Sequence, residues 1–280
     1  MKYSTTIVKD YIRQDKLPHI WCPGCGDGTI AGAMIRAIDA CGLEKDNTAL
    51  ITGIGCSARF NNIMDFHTFQ TAHGRALAYA TGFKMMKPEM DVLVATGDGD
   101  CAGIGGNHLI HTARRNIDLT VVMINNQIYG MTGGQYSPMT PYPSKASTAQ
   151  YSTFEYPFDV CELVKAAGAT YVARSTTYHI NLTQKLIENA IRHKGFSFVE
   201  VIAQCPTNFG KRNKMGSPYD MLMKQKEMAV TVEQAETMTK EDLEGKIVIG
   251  ELLHRTDRKP FDEVYHEMVQ KAQATKGGKL

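Results

Sequence analysis

Apolar residues recur along this chain with two alternating periods. Thr29–Cys41 repeats them at helical spacing and stops at Gly42, a residue suited to helix ends. Thr48–Ile54 is a short, continuous apolar run of the kind that forms a buried strand. The alternation continues with a helix over Arg75–Met86, halted near Pro88, and a strand over Asp91–Thr96. A helix over Ala102–Arg114 and a strand over Leu119–Ile124 follow. After an interruption come helix Asp159–Ala167, strand Thr170–Ala173, helix His179–His193 and strand Ser197–Ile202. Short apolar strands separated by helices predict an α/β fold, a parallel sheet with helices on both faces.

Two stretches break the rhythm. Gln127–Tyr156 is a long loop rich in Gly, Ser, Thr, Pro and Tyr, and loops of this length are commonly functional or mobile. From Cys205 the character changes: Gly210–Ser217 (GKRNKMGS) is basic and turn-rich, and Met221–Glu244 reads as a polar helix. A strand at Lys246–Gly250 and an amphipathic helix at Phe261–Ala272 follow. Residues 1–204 therefore read as the α/β domain. Residues 205–280 read as a carboxy-terminal extension, too poor in apolar residues to fold alone, that packs on the domain or on a partner.

Composition narrows the function classes. Of 280 residues, 43% are hydrophobic and 21% charged, which fits a globular protein with one substantial core. A net charge of +2, with Lys and Arg scattered among acids, argues against a chain built to hold nucleic acid or a membrane surface. No apolar run approaches the roughly 20 residues that span a bilayer. The first 21 residues lack a signal-peptide centre, so a cytoplasmic protein is expected. Seven cysteines cannot all pair within the chain, and a reducing compartment leaves metal ligation or core packing as their use.

The densest chemistry follows the second strand, at Gly97-Asp98-Gly99-Asp100. The next strand ends in Asn125-Asn126. Ligands of open α/β sheets bind beyond the carboxyl ends of strands, so both segments open on one crevice. Gly97 and Gly99 allow close backbone approach, while Asp98 and Asn126 offer the hard oxygens that magnesium on a diphosphate takes from a protein. Each fragment alone also reads as a capped turn. Their pairing at two strand ends is what resembles the thiamine-diphosphate signature GDG…NN.

Cysteine placement adds a second theme. Trp21-Cys22-Pro23-Gly24-Cys25-Gly26 holds a CxxC in a tight turn, open as zinc half-site, redox dithiol or iron–sulfur half-site. Cys41 and Cys161 lie in apolar helical stretches and read as core, and Cys101 starts a helix beside the cofactor. Cys56 (GIGCS) and Cys205 (QCPT) each follow a predicted strand, on the same side of the sheet as the CxxC.

Together WCPGCG, GIGCS, HGRA at His73–Ala76, GDGD with its downstream NN, and QCPT resemble the beta subunit of 2-oxoacid:ferredoxin oxidoreductases over about residues 17–220. The resemblance implies a thiamine-diphosphate-binding fold in which Asp98, Asn126 and the carbonyl of Ile128 hold magnesium. It implies that Cys22, Cys25, Cys56 and Cys205 ligate one [4Fe–4S] cluster. Ile54, Gly55, Ser57, His73, Gly97, Gly99 and Asp100 are then expected around the cofactor, with Asp100 open as a residue that only orders its loop. Tyr129, Gly130, Met131 and Thr132 begin the long loop and are expected to cover the thiamine.

In such a family the enzyme decarboxylates a 2-oxo acid, passes the acyl group to coenzyme A and the electrons to ferredoxin. The chain contains no glutamate assignable to the aminopyrimidine ring, so an alpha subunit is expected to supply the pyrimidine-side module, with further small subunits allowed. Some relatives carry TKGQ where this chain has Thr132-Gly133-Gly134-Gln135, and the missing lysine puts its carboxylate contact in doubt. Arg59 offers a replacement charge or a surface ion pair. His73 and Thr132 join Arg59 as candidate catalytic or pocket residues, and a structural histidine remains an equal reading of His73. The whole pattern looks most like the 2-oxoglutarate branch, with branched-chain 2-oxo acids and pyruvate as alternatives. A non-oxidative thiamine decarboxylase or carboligase leaves the four cysteines idle, and a zinc-stabilised assembly subunit leaves the magnesium signature idle.

Overall fold

The computed structural model describes the backbone of residues 5–277 and the burial of side chains over 8–274. Helices α1 (Thr5–Asp10) and α2 (Asp27–Cys41) precede the sheet. Ile30, Met34, Ile35 and Ile38 form the buried stripe of α2, and Gly42 ends it in the left-handed conformation (φ 69°) by returning its N–H to Ile38 and Asp39. Strand β1 (Thr48–Thr52) is buried along its whole length. A helical turn, α3 (Phe60–Ile63), and an edge strand, β2 (His67–Gln70), come next.

The regular alternation then sets in: α4 (Ala76–Met86), β3 (Asp91–Gly97), α5 (Gly106–Arg115), β4 (Leu119–Asn125), α6 (Val160–Ala167), β5 (Tyr171–Thr176), α7 (Ile180–Arg192) and β6 (Phe196–Ile202). These six strands are parallel in the order β2-β1-β3-β4-β6-β5. One core lies between the sheet and α2 with α7, around Phe60, Met64, Tyr171 and Val199. The other lies under α4, α5 and α6, around Val94, Val121, Phe196 and Phe198. Apolar contact on both faces is why the central strands carry no polar alternation.

The segment after Cys205 departs most from expectation. The helix predicted over Met221–Glu244 is broken into α8 (Pro218–Met228), strand β7 (Ala229–Thr231), and single turns α9 (Val232–Ala235) and α10 (Lys240–Leu243). Capping boxes at Ser217/Asp220, Thr231/Gln234 and Thr239/Asp242 restart the chain each time, because a capping side chain replaces the helical bond that a continuing backbone needs. Strand β8 (Ile247–His254) then pairs antiparallel with β5 and parallel with β7, completing eight strands. Helix α11 (Phe261–Gly277) follows, anchored where buried Asp262 accepts from the Asp118 backbone at 3.0 Å. No helix among the described residues is long and apolar enough to cross a membrane.

Candidate active site at the carboxyl ends of the strands

The site is assembled from the turns that leave β1, β3, β4 and β6. Because these strands are parallel, Gly53–Ser57, Asp98–Asp100, Asn126 and Cys205 emerge on one edge of the sheet. The stretch predicted as the start of a helix at Ala102 is instead wound wider, as a π-turn over Gly99–Ile104, before α5 begins. That geometry, frequent at functional sites, brings the GDGD backbone around a single cleft.

The cleft is lined by every residue predicted to surround the cofactor, from Ile54, Gly55 and Ser57 through Gly97–Asp100 to Asn126 and Ile128–Thr132, with His73. Asp98 is buried, and its carboxylate accepts from the hydroxyl of Ser137. Burial pushes its pKa up to about 7, and the negative Glu200 adds to the shift. Asn126 folds its side-chain oxygen back onto the Ile128 N–H at 3.2 Å, across a left-handed Gln127 (φ 65°) whose carbonyl is held by Thr140. A Cβ at Gly99 would stand 2.2 Å from the Tyr129 ring, so only glycine lets that ring seal the turn with its hydroxyl on the Gly99 carbonyl at 3.0 Å. The buried hydroxyl of Ser57 has no protein partner. A buried carboxylate, a free hydroxyl and bare glycine backbone make a cradle suited to a divalent cation carried on a phosphorylated ligand.

Asp100 has another use. Its carboxylate accepts from Gly74 N–H (2.7 Å), Ile54 N–H (3.3 Å) and the Thr96 hydroxyl (2.6 Å), and it pairs with His73 Nδ1 at 2.5 Å. Both oxygens are taken up by protein, which ties the turns after β1 and β2 to β3. His73 is thereby fixed edge-on to Tyr129, ring centroids 5.9 Å apart. At the mouth, Thr132 donates to Gln135 at 2.8 Å. Half-buried Arg59 reaches Met131 Sδ at 3.7 Å, and its Nε has no partner.

The four predicted cysteines converge beside this cleft. The CxxC turn closes with Cys25 N–H on the Cys22 carbonyl at 3.0 Å and passes through left-handed Gly24 (φ 76°). It is docked on the end of β6, where Gln204 donates to the Gly24 carbonyl at 3.1 Å and Gly26 N–H returns to Gln204 at 3.2 Å. Trp21 clamps the Cys56 carbonyl at 2.9 Å. Cys56 lines the cleft, and a Cβ at Gly130 would meet Cys56 Sγ at 3.4 Å and Cys205 Sγ at 3.7 Å, so both sulfurs flank one glycine. Burial raises the Cys25 and Cys205 thiols and pushes Cys56 up to about 12; the electrostatic effects of Cys22 and Cys205 reach their neighbours. Three thiols raised in this way become anions together only around a positively charged group. Of the other three, Cys161 is buried as expected and Cys101 is buried in the π-turn, while Cys41, also expected in the core, is only half-buried at a helix end.

Sequence patterns did not single out Ser137, Gln204 or Asp27. Asp27 lies fully buried under the CxxC turn, accepts from the Cys25 thiol at 3.4 Å, and is pushed up to about 6 by its burial. Its place one residue past Gly26 was the available signal. A second cavity, walled by Phe209, Met215, Met221 and Gln225, contains none of the predicted site residues.

Residues 53–201 match the family model of the thiamine pyrophosphate enzymes' C-terminal TPP binding domain. The 2-oxoglutarate synthase subunit KorB of Methanothermobacter thermautotrophicus is 49% identical over 88% of this chain and 86% of its own. The subunit of the same name from Methanocaldococcus jannaschii is 48% identical over 93% of this chain and 96% of its own. Among solved structures, a 2-oxoglutarate:ferredoxin oxidoreductase from Magnetococcus marinus, with 2-oxoglutarate, coenzyme A and succinyl-CoA bound, superposes with a TM-score of 0.84 at 33% identity. That match covers 97% of this chain and 92% of the other. The chain therefore belongs to the thiamine-pyrophosphate-binding beta subunits of 2-oxoacid:ferredoxin oxidoreductases, in the 2-oxoglutarate synthase KorB family.

Proposed function

We propose that this chain holds the diphosphate half of an active site that converts 2-oxoglutarate, coenzyme A and oxidised ferredoxin to succinyl-CoA, carbon dioxide and reduced ferredoxin. The observation that carries the proposal is the shared wall. Cys56 lines the same cleft as Asp98 and Asn126, so a cysteine cluster and a diphosphate cradle lie side by side. Thiamine diphosphate, when bound, supplies the electron sink for decarboxylation.

The protein's part is positioning. Asp98, Asn126 and the Ile128 carbonyl are proposed to hold magnesium on the diphosphate. Ser57 is left to donate to a phosphate oxygen, and the glycine backbone allows close approach. Asp100 keeps His73 and the three turns in register rather than binding the metal. Arg59 is not among the residues lining the cleft but reaches Met131, which is, so its guanidinium is proposed to meet a substrate carboxylate at the rim formed by Met131 and Thr132. Cys22, Cys25, Cys56 and Cys205 are proposed to take one iron each of a [4Fe–4S] cluster. CxxC spacing alone does not choose the metal, and the assignment to iron–sulfur is supported by the resemblance of the four cysteine motifs together. An alpha subunit is proposed to bring the pyrimidine-side module and its glutamate, in a cytoplasmic complex that ferredoxin visits. Residues 1–204 form the cofactor domain in this reading, and 205–280 an extension of it.

The test is anaerobic purification of the native complex, with iron, acid-labile sulfide and thiamine diphosphate measured together with ferredoxin reduction on three acids. Iron, sulfide and cofactor with a clear preference for 2-oxoglutarate are expected. A colourless zinc protein, or faster turnover of pyruvate or branched-chain acids, overturns the corresponding part.

A further inference from the structure

The tip of the long loop is the least self-supporting part of the cleft. Gly130–Gly134 turns back between Tyr129 and Gln135, where Tyr129 N–H meets the Gln135 carbonyl and Gly134 N–H the Tyr129 carbonyl, both at 2.9 Å. Gly133 and Gly134 take positive φ angles of 117° and 91°, which glycine reaches at little cost and leaves as easily. Met131, Thr132 and Gly133 are exposed at the apex, yet Met131 and Thr132 line the cofactor cleft. A turn with this much backbone freedom presents two side chains at one place only if something outside it holds it, because chain entropy opposes any fixed placement.

That support comes from the turn carrying Cys205. Pro206–Gly210 is wound as a π-turn and closed by Gly210 N–H on the Cys205 carbonyl at 2.9 Å. From this turn, half-buried Asn208 donates its side-chain N–H to the Gly130 carbonyl at 2.7 Å. Arg212, just beyond, donates to the Gly133 carbonyl at 3.1 Å. A Cβ at Gly134 would stand 3.3 Å from Asn208 and 3.1 Å from Arg212, so both side chains bear directly on the tip. Neither of them lines the cleft.

We propose that Asn208 and Arg212 are positioning residues, clamping the glycine tip so that Met131 and Thr132 stand at one place over the mouth where the 2-oxo acid enters. The role rests on the reading of the cleft proposed above. Gly130, the clamped residue, is also the one flanked by the sulfurs of Cys56 and Cys205. The clamp therefore runs from the turn that carries Cys205 to the loop that borders the substrate. It depends on a donor at position 208, since a carbonyl can only accept.

Asn208→Asp keeps the shape and turns the donor into an acceptor facing the Gly130 carbonyl. In the assembled complex, hydrogen exchange over residues 130–135 is expected to quicken. The kcat/KM for the 2-oxo acid should fall about fivefold, mostly through KM, the change carried by one lost hydrogen bond. The KM for ferredoxin and the contents of iron, acid-labile sulfide and thiamine diphosphate should hold. Arg212→Ala, exposed and further from Cys205, removes the second hold and should show the same pattern, which Arg212→Lys should largely restore. Unchanged exchange in both variants, or quickened exchange with an unchanged KM, overturns the positioning role and leaves the proposed function intact. Loss of iron in both variants overturns it too, because the residues then serve the cysteine turn. A wild-type complex that oxidises no 2-oxo acid overturns the reading of the cleft, and the positioning role with it.

Discussion

Asp98 and Asp100 share one turn, yet their surroundings assign them opposite energetic roles. Asp98 is enclosed, and Ser137 is its side-chain donor. Its pKa is raised from 3.8 to about 7, so the folded, metal-free chain binds that proton more tightly than the unfolded chain does. Stability is therefore lost as pH rises from about 4 through 7, by on the order of 4 kcal/mol. Asp98→Asn removes that cost. In chelator the variant complex should melt higher than wild type at pH 8, with the gap closing towards pH 4, and it should fail to retain thiamine diphosphate with magnesium. Asp100→Ala strands two backbone N–H groups and the Thr96 hydroxyl, at roughly 2–4 kcal/mol, and should melt lower at either pH. Retention of cofactor by Asp98→Asn, or a melting point for Asp100→Ala equal to wild type, contradicts this division. The sequence marks both aspartates as one motif. What separates them is the contacts from Ser137 and from Ile54, Thr96 and Gly74, which the spacing within GDGD does not encode.

At the level of elements, the five central strands β1, β3, β4, β5 and β6 were legible because burial on both faces leaves a continuous hydrophobic signal. Edge pieces were not. β2 (HTFQ) is largely exposed and β7 has three residues, so neither presents an apolar run. The polar stretch after Met221 did carry a signal, in its repeated Thr-x-x-Gln and Thr-x-x-Asp capping pairs, which break a helix that composition alone would extend. The junction of β5 with β8 shows a titratable contact that a linear reading cannot reveal. His193 holds Thr170 at 2.7 Å and packs against Tyr171 and His254, with Glu251 and Asp118 also facing it. Burial, then His254, lowers its pKa below 6.5. The unfolded chain therefore takes up the proton first, and this contribution, complete above 6.5, is lost as pH falls through that value. His193→Gln should lower the melting point at pH 7.5, and its deficit should shrink by pH 5.5. A deficit that stays constant with pH would show that His193 acts by packing alone.

Across the whole molecule, the four cysteines proposed to hold the cluster come from the amino-terminal turn, the end of β1 and the end of β6, and only the parallel sheet brings them together. The strand-end positions of Cys56 and Cys205 were legible and their grouping with the CxxC came from the family resemblance, whereas Gln204 and Trp21, which dock the CxxC turn, emerge only from the folded chain. The arrangement separates two proposed cofactor sites that share a wall. Cys205 lies outside the cleft residues, whereas Asp98 and Asn126 lie within them, so loss of Cys205 should remove the cluster without emptying the diphosphate cradle. Cys205→Ser in the assembled complex is expected to keep thiamine diphosphate at the wild-type level, to lose most iron and acid-labile sulfide, and to lose ferredoxin reduction. Cys41→Ser, a half-buried thiol at a helix end, should change none of the three and controls for general thiol damage. Wild-type iron in Cys205→Ser would remove that residue from the ligand set. Loss of thiamine diphosphate alongside the iron would show instead that the two cofactors depend on each other for binding, because the shared wall formed by Cys56 and Gly130 then needs the cluster to hold its shape.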